Sequence, residues 1–316
     1  MSAHPPIDNG DDIRRCLLEA GAVAVGFARA EPISQTAAAE YDDWLQAGCH
    51  AGMCYLERHA PLRLDPDNVL AGTKTVISLA FSYNPVLRRS PQLPVIATYA
   101  YGDDYHDVVR RHLERPVARL RDALGGDWRI CTDTAPLAER YWAMRAGIGR
   151  RGLNGSIIID GHGSRVFLAE ILTTITITPD TPSTRRCMEC GACLRACPGQ
   201  AILSGSRIDA HRCLSYLTIE HKGDFPPEAD VLHTPAGRRT LYGCDICVEI
   251  CPHNHGVPVT SISEFTLRHD IAGLTAAQAA AMTQTQFSNI FCGSAIKRAR
   301  LAGLQRNAAN CLDTEQ

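Results

Sequence analysis

Cys187-Met-Glu-Cys190-Gly-Ala-Cys193-Leu-Arg-Ala-Cys197-Pro198, read with Cys213 and with Cys244-Asp-Ile-Cys247-Val-Glu-Ile-Cys251-Pro252, decides how the second half of this chain is built. The first run has the spacing C-x2-C-x2-C-x3-C-P, in which three close thiolates grip one iron–sulfur cluster and the fourth, ahead of proline, reaches a neighbouring cluster. The second run repeats the last three of those positions, and Cys213 supplies the missing one from a distance. The ligands therefore sort as Cys187, Cys190, Cys193 with Cys251, and Cys197, Cys213 with Cys244, Cys247. Two 4Fe-4S clusters of this kind pass single electrons. Structural zinc favours isolated C-x2-4-C pairs over such a run. Disulfides need an oxidising compartment, and the polar Met1 to Gly10 has neither the basic start nor the apolar stretch of a secretory signal, so a reducing, cytoplasmic setting is expected.

At 316 residues the chain exceeds one ordinary domain, and its 45% hydrophobic and 21% charged content is that of a globular protein with ample core. No apolar run approaches the roughly 18 residues of a membrane helix, so no membrane partner is expected. A formal net charge of -2 leaves any nucleic-acid contact to a local basic patch rather than to the field of the whole chain. Cys16, Cys49, Cys54, Cys131, Cys292 and Cys311 lie outside the ligand pattern and read mostly as small buried apolar residues.

The first half alternates helical and strand patterns. Helices are expected over Asp11–Ala20, Ser34–Ala47, Tyr105–Leu124 and Pro136–Ala146, the last opened by its proline. Strands are expected over Gly21–Phe27, Thr75–Phe81 and Trp128–Thr132, and Ile157–Ile159 with Val166–Thr174 reads as a hairpin turned by Asp160 to Ser164. This order predicts an α/β (α+β) catalytic domain with a mixed sheet over residues 1–180. The breakers Pro179, Thr181 and Pro182 then lead into a loop-rich, bacterial two-cluster ferredoxin-like domain over 181–258, and an Ala-rich helical C-terminal segment over 259–316.

A ferredoxin module needs far fewer residues, so the preceding half must consume the electrons. Several stretches together resemble the epoxyqueuosine reductase family: Met53-Cys-Tyr55-Leu-Glu-Arg58, Asp133-Thr-Ala-Pro136-Leu-Ala-Glu139-Arg140, Ala146-Gly147-Ile-Gly149 through Gly152 and Asn154, Cys213-Leu-Ser-Tyr216 through Gly223, Tyr242-Gly243-Cys244-Asp245 and Cys251-Pro252-His253-Asn254. The resemblance runs from about Met53 to Asn310, with the motifs in the family's order. It implies a cobalamin enzyme that reduces the epoxide of epoxyqueuosine in a tRNA anticodon loop to queuosine and water. Cobalamin follows from the resemblance alone, and the protein's part would be binding, orientation and electrostatics.

Opening an epoxide takes a strong reductant at carbon and an acid at oxygen. Asp133, at the end of a strand, matches the family's proton donor; a donor working near neutral pH needs a raised pKa, which burial beside an apolar face provides. Read from the residues alone, Asp133 or Thr134 could equally cap a helix. Tyr105, His106 and Tyr216 are the alternative acids. Arg58, His106, Asn154, Ser215, Tyr216 and Asp245 are further candidates for contact with the corrin, and Lys222, Lys297, Arg298 and Arg300 for contact with RNA phosphates. Arg150 and Leu153 stand where the family carries Trp and Lys, a segment expected at the substrate edge. The implied partners are the anticodon stem-loop and an external donor such as flavodoxin or ferredoxin with its reductase, acting on a monomer. A cobalamin-dependent reductive dehalogenase, which would usually carry a twin-arginine leader, and a non-catalytic electron carrier, which leaves the first half unexplained, are the competing readings.

Overall fold

The computed structural model describes residues 10–313; the Met1–Asn9 stretch, to which the reading about a secretory signal applies, lies outside them. Four strands, β1 (Ala24–Arg29), β2 (Thr75–Ser82), β3 (Trp128–Thr132) and β4 (Val166–Thr173), form a sheet in the order β1-β2-β4-β3. Every residue of β2 is buried because both faces of the sheet are covered. On one side Ile77, Leu79 and Phe81 pack on Val108, Leu113 and Leu120 of the long helix Tyr105–Leu124, and on the other Val76 and Leu172 pack on Trp142 of the short helix Glu139–Arg145. The alternation of β2 residues between two apolar layers explains why it reads as a continuous apolar run.

The layered α/β domain, the double-cluster segment and the helical C-terminal part are all present, with three differences in local detail. The sheet is antiparallel throughout rather than mixed, because β2 and β3, which run the same way, are separated by β4, antiparallel to both; parallel pairing is found between Val95–Ile96 and Thr240–Tyr242, outside it. The expected hairpin does not form. Ile157–Ile158 pairs with Arg150–Arg151, a single bridge from Ile159 to Gly163 closes the turn on itself, and β4 is instead hydrogen-bonded on both edges by β2 and β3. Gly163, at φ 69°, is held there because a Cβ would meet the Asn254 side chain at 2.2 Å.

The third difference lies next to the site. The helix expected from Pro136 starts at Glu139, with Ala138 at φ -84°, ψ 65° and no side chain capping it. Asp133 to Ala138 instead forms a turn segment, in which Ala135 N–H donates to the Thr132 carbonyl at 3.0 Å and Leu137 N–H to the Ala135 carbonyl at 2.8 Å. That turn lets the Asp133 side chain face a cavity instead of a helix terminus.

A second core joins Ile96, Tyr101, Leu241 and Tyr242 to Phe287, Phe291, Ile296 and Leu304. The C-terminal helices thus pack on residues from both halves of the chain, and Arg89, buried, donates to the Leu274 carbonyl at 2.7 Å to tie the join.

Candidate active site

Cys187, Cys190, Cys193 and Cys251 line one void. The other four form a second group: burial and then the neighbouring Cys244, Cys213 and Cys197 push the Cys247 thiol up, and burial pushes Cys244 to about 12 with Cys213 and Cys197 close by. Half-buried thiols gathered this closely fit a cationic iron–sulfur core, which supplies the missing positive charge. Backbone N–H groups are aimed at the sulfurs, from Ala201 to Cys197 at 3.3 Å, from Ser215 and Tyr216 to Cys213, and from Ile246 to Cys244. Such donors tune a cluster's potential. The first set borders the surface, with Cys190 exposed.

Beyond the second set a cavity of about 240 Å³ opens, walled by Tyr83, Tyr99, Tyr105 and Phe167, with Ser156 and Ser164 among its polar positions. Tyr83 stands close enough to Asp245 and Cys247 for their charges to raise its hydroxyl pKa, after burial, the larger cause. The cavity wall therefore adjoins the inner cysteine set. An aromatic wall with hydroxyls fits a flat macrocycle that is apolar on its face and rimmed with amides, the chemistry of a corrin.

Asp133 faces this cavity. Tyr105 donates its hydroxyl to Asp133 Oδ2 at 2.8 Å, and His106 places Nε2 3.2 Å from the same oxygen and Nδ1 2.6 Å from Asp104 Oδ1. Asp104 also caps the long helix, accepting from the His106 backbone at 3.1 Å, so the sequence Asp104-Tyr105-His106 fixes the first turn and aims two side chains at Asp133 together. Burial alone would lower the His106 pKa, but hydrogen bonds to Asp104 and Asp133 push it up to about 9. The raised pKa expected for Asp133 is not found. Burial works in that direction, but hydrogen bonds from His106 and Tyr105 hold it below the usual carboxylate range. At neutral pH the pair is a carboxylate beside an imidazolium. The capping role also fails, since the Asp133 carboxyl is spent on Tyr105 and His106.

The other expected residues divide. Asp245 accepts from the Thr98 backbone at 2.6 Å, and Tyr216 accepts from Gly52 N–H at 2.8 Å, so both anchor loops around the inner set; Ser215 contributes its backbone to Cys213. Asn154 is buried, donates to the Cys247 carbonyl at 3.2 Å and lines the outer void rather than the Asp133 cavity. Arg58 ends the short helix Tyr55–Arg58 and is exposed, as are Lys222, Lys297 and Arg300. Arg298 is held by Glu220 at 2.8 and 2.9 Å and lies over the Tyr55 ring, and the neighbouring basic residue Arg306 is turned inward onto the Leu217, His221 and Gly223 carbonyls and the Phe225 ring. At the two departures, Arg150 ion-pairs with Asp160 and approaches His253 at 3.5 Å, and Leu153 lines the outer cysteine void.

An antiparallel α/β domain carrying a solvent-open aromatic cavity, with a double four-cysteine domain against its wall, is the frame of an iron–sulfur oxidoreductase. Residues 186–254 match the family model described as "4Fe-4S double cluster binding domain", and residues 63–134 match "Epoxyqueuosine reductase QueG, DUF1730". The epoxyqueuosine reductase of Cyclobacterium marinum is 37% identical over 85% of this chain and 86% of its own length, and that of Gloeobacter violaceus 36% identical over 91% of this chain and 91% of its own. A crystal structure of epoxyqueuosine reductase with an epoxyqueuosine-modified stem loop of tyrosine tRNA superposes with TM-score 0.88 at 28% identity, covering 96% of this chain and 80% of that one. The Bacillus subtilis enzyme, solved with its catalytic aspartate loop swung out of the active site, gives TM-score 0.84 at 28% identity, covering 96% of this chain and 80% of that one. The chain belongs to the epoxyqueuosine reductase family.

Proposed function

We propose that this oxidoreductase reduces the epoxide of epoxyqueuosine in a tRNA anticodon loop to queuosine and water, with cobalamin in the Asp133 cavity. The observation that carries the reading is the convergence of Tyr105 and His106 on one Asp133 carboxylate oxygen at an aromatic cavity whose wall stands near the inner cysteine set. Cobalamin, when bound there, supplies a strongly reducing cobalt centre. With clusters bound, the outer set, through the exposed Cys190, would be the side open to an external flavodoxin- or ferredoxin-type donor, and the inner set would be the one nearer the cavity. On this reading residues 1–180 bind cofactor and substrate and 181–258 carry electrons. Lys297, Arg300 and Lys222, exposed and close in sequence to the Arg298–Glu220 tie, offer charge to RNA phosphates.

The chain's own part is the proton. His106 holds it at rest, 3.2 Å from Asp133, as one half of an ion pair. When a bulky ligand fills the cavity and expels water, an ion pair becomes costly relative to a neutral acid beside a neutral imidazole. The proton then moves to Asp133, which is loaded as an acid only once the site is closed. Tyr105, donating to the same oxygen, keeps the carboxyl turned to the cavity.

Anaerobic protein with both clusters, cobalamin and a low-potential reductant should convert an epoxyqueuosine-bearing stem-loop to its queuosine form. Dehalogenation of small organics with no action on that RNA would overturn the proposal.

A further inference from the structure

Behind Asp133 lie two carboxyls that the mechanism above leaves unused. Glu170 sits in the middle of β4, fully buried, in register with Ser78 of β2 and Cys131 of β3. It accepts a 3.3 Å hydrogen bond from the Ser78 hydroxyl through Oε1, while Oε2 has no partner. Glu139 begins the helix that packs on this face of the sheet, lines the same cavity as Asp133, and also leaves its Oε1 without a partner. A carboxylate in the first turn of a helix is ordinarily favoured in its charged form. Here burial first, and then the charge of Asp133, push Glu139 up to about 8, against the pull of Arg140 and Arg63; burial and Glu139 push Glu170 well above its usual range. Tyr105 and Cys131 also face Glu139 and carry no positive charge that would oppose this.

The chemistry calls for such a group. Converting an epoxide to an alkene breaks both carbon–oxygen bonds, consumes two electrons and releases the oxygen as water, which takes up two protons. Electrons arrive through the clusters from the external donor, but Asp133 passes one proton at a time and His106 holds one. We propose that Glu139 is the second proton store of the site, a neutral acid beside Asp133 that reloads it for the second transfer, with Glu170 as its neutral backing in the sheet. This rests on the reading of the reaction given above. Glu139 acts through Asp133 and is a positioning and proton-holding residue rather than a group that meets substrate.

Two measurements test it. Infrared titration of the purified protein, with clusters and without RNA, should show a protonated-carboxyl stretch that persists at neutral pH, fades around pH 8 and is missing from Glu139→Gln. In turnover, Glu139→Gln should lower kcat by roughly 10²-fold, the lower edge of a general-acid contribution, with little change in KM. It should also remove the alkaline limb near pH 8, leaving the later one near 9 set by His106. Glu139→Asp should recover part of the rate. A wild-type protein with no carboxyl protonated at neutral pH overturns the store, and needs no variant to fold. An active Glu139→Gln with unchanged kcat and pH profile overturns the relay. If the wild type fails to reduce the epoxide, the reaction assignment is wrong and the infrared titration still decides whether Glu139 holds a proton.

Discussion

The Tyr105 hydroxyl donates to Asp133 Oδ2 at 2.8 Å, an oxygen that His106 shares from 3.2 Å. Two side chains adjacent on the first turn of one helix therefore fix the orientation and the charge of a carboxylate carried by a turn after a strand. Removing the transferable proton while keeping shape, Asp133→Asn should reduce turnover by about 10²–10⁴-fold, as loss of a general acid does, with cluster and cobalamin spectra intact. Tyr105→Phe, which removes only the aiming bond, should have a smaller effect on kcat. Near-normal turnover by Asp133→Asn would move the acid to His106.

The His106 pKa of about 9 gives a pH dependence with a definite sign. The folded state binds this proton more tightly than the unfolded chain, whose value is near 6.5. Its stabilisation is complete below about 6.5 and is lost as pH rises through about 9. Thermal denaturation of His106→Gln compared with wild type should therefore show a Tm gap that narrows from pH 6.5 to 9. A gap that widens over that window would contradict the ion pair.

Because the inner cysteines are a separate set, Cys213→Ala should cost the inner cluster and spare most of the outer one. Iron and sulfide analysis of the anaerobic wild type should give about eight of each per chain, falling to about four in the variant. Equal loss of both clusters would show that the two sites fold as one unit.

Much of this was legible in the sequence. The ligand partition follows from spacing alone, because a C-x2-C-x2-C-x3-C-P run permits few geometries. The 105–124 helix and the 75–82 and 128–132 strands match their patterns to within a residue. The hairpin was not legible, since β4 pairs with strands about 40 and 90 residues away and sequence periodicity carries no partner information. The charge state of Asp133 was hidden for the same reason: His106 and Tyr105 lie 27 and 28 residues before it. Glu170 did leave a signal, a lone acid inside the apolar strand Val-Phe-Leu-Ala-Glu-Ile-Leu-Thr, which is rarely buried without a purpose. Composition does not show which basic residues of the C-terminal helices make internal contacts, as Arg298 does with Glu220 and Arg306 with the Leu217 carbonyl.

That distinction bears on RNA binding. Lys297→Ala and Arg300→Ala should weaken stem-loop binding and lower the salt dependence of affinity, each removing about one phosphate contact's worth of slope. Arg298→Ala should instead act through loss of its hold on Glu220 and Tyr55, lowering thermal stability more than the salt slope. An Arg298→Ala effect confined to the salt slope would place that residue on RNA.

The central claim, that the Asp133 cavity is where cobalamin and the inner cluster meet substrate, is tested most directly by titrating cobalamin into cluster-loaded protein and following its absorbance and paramagnetic spectra. Saturable binding with a changed cobalt spectrum, abolished by a bulky Ser164→Trp in the cavity wall while the cluster signals persist, is the predicted result. Cobalamin that binds with the same affinity and spectrum in Ser164→Trp, or that fails to bind the wild type at all, would contradict it.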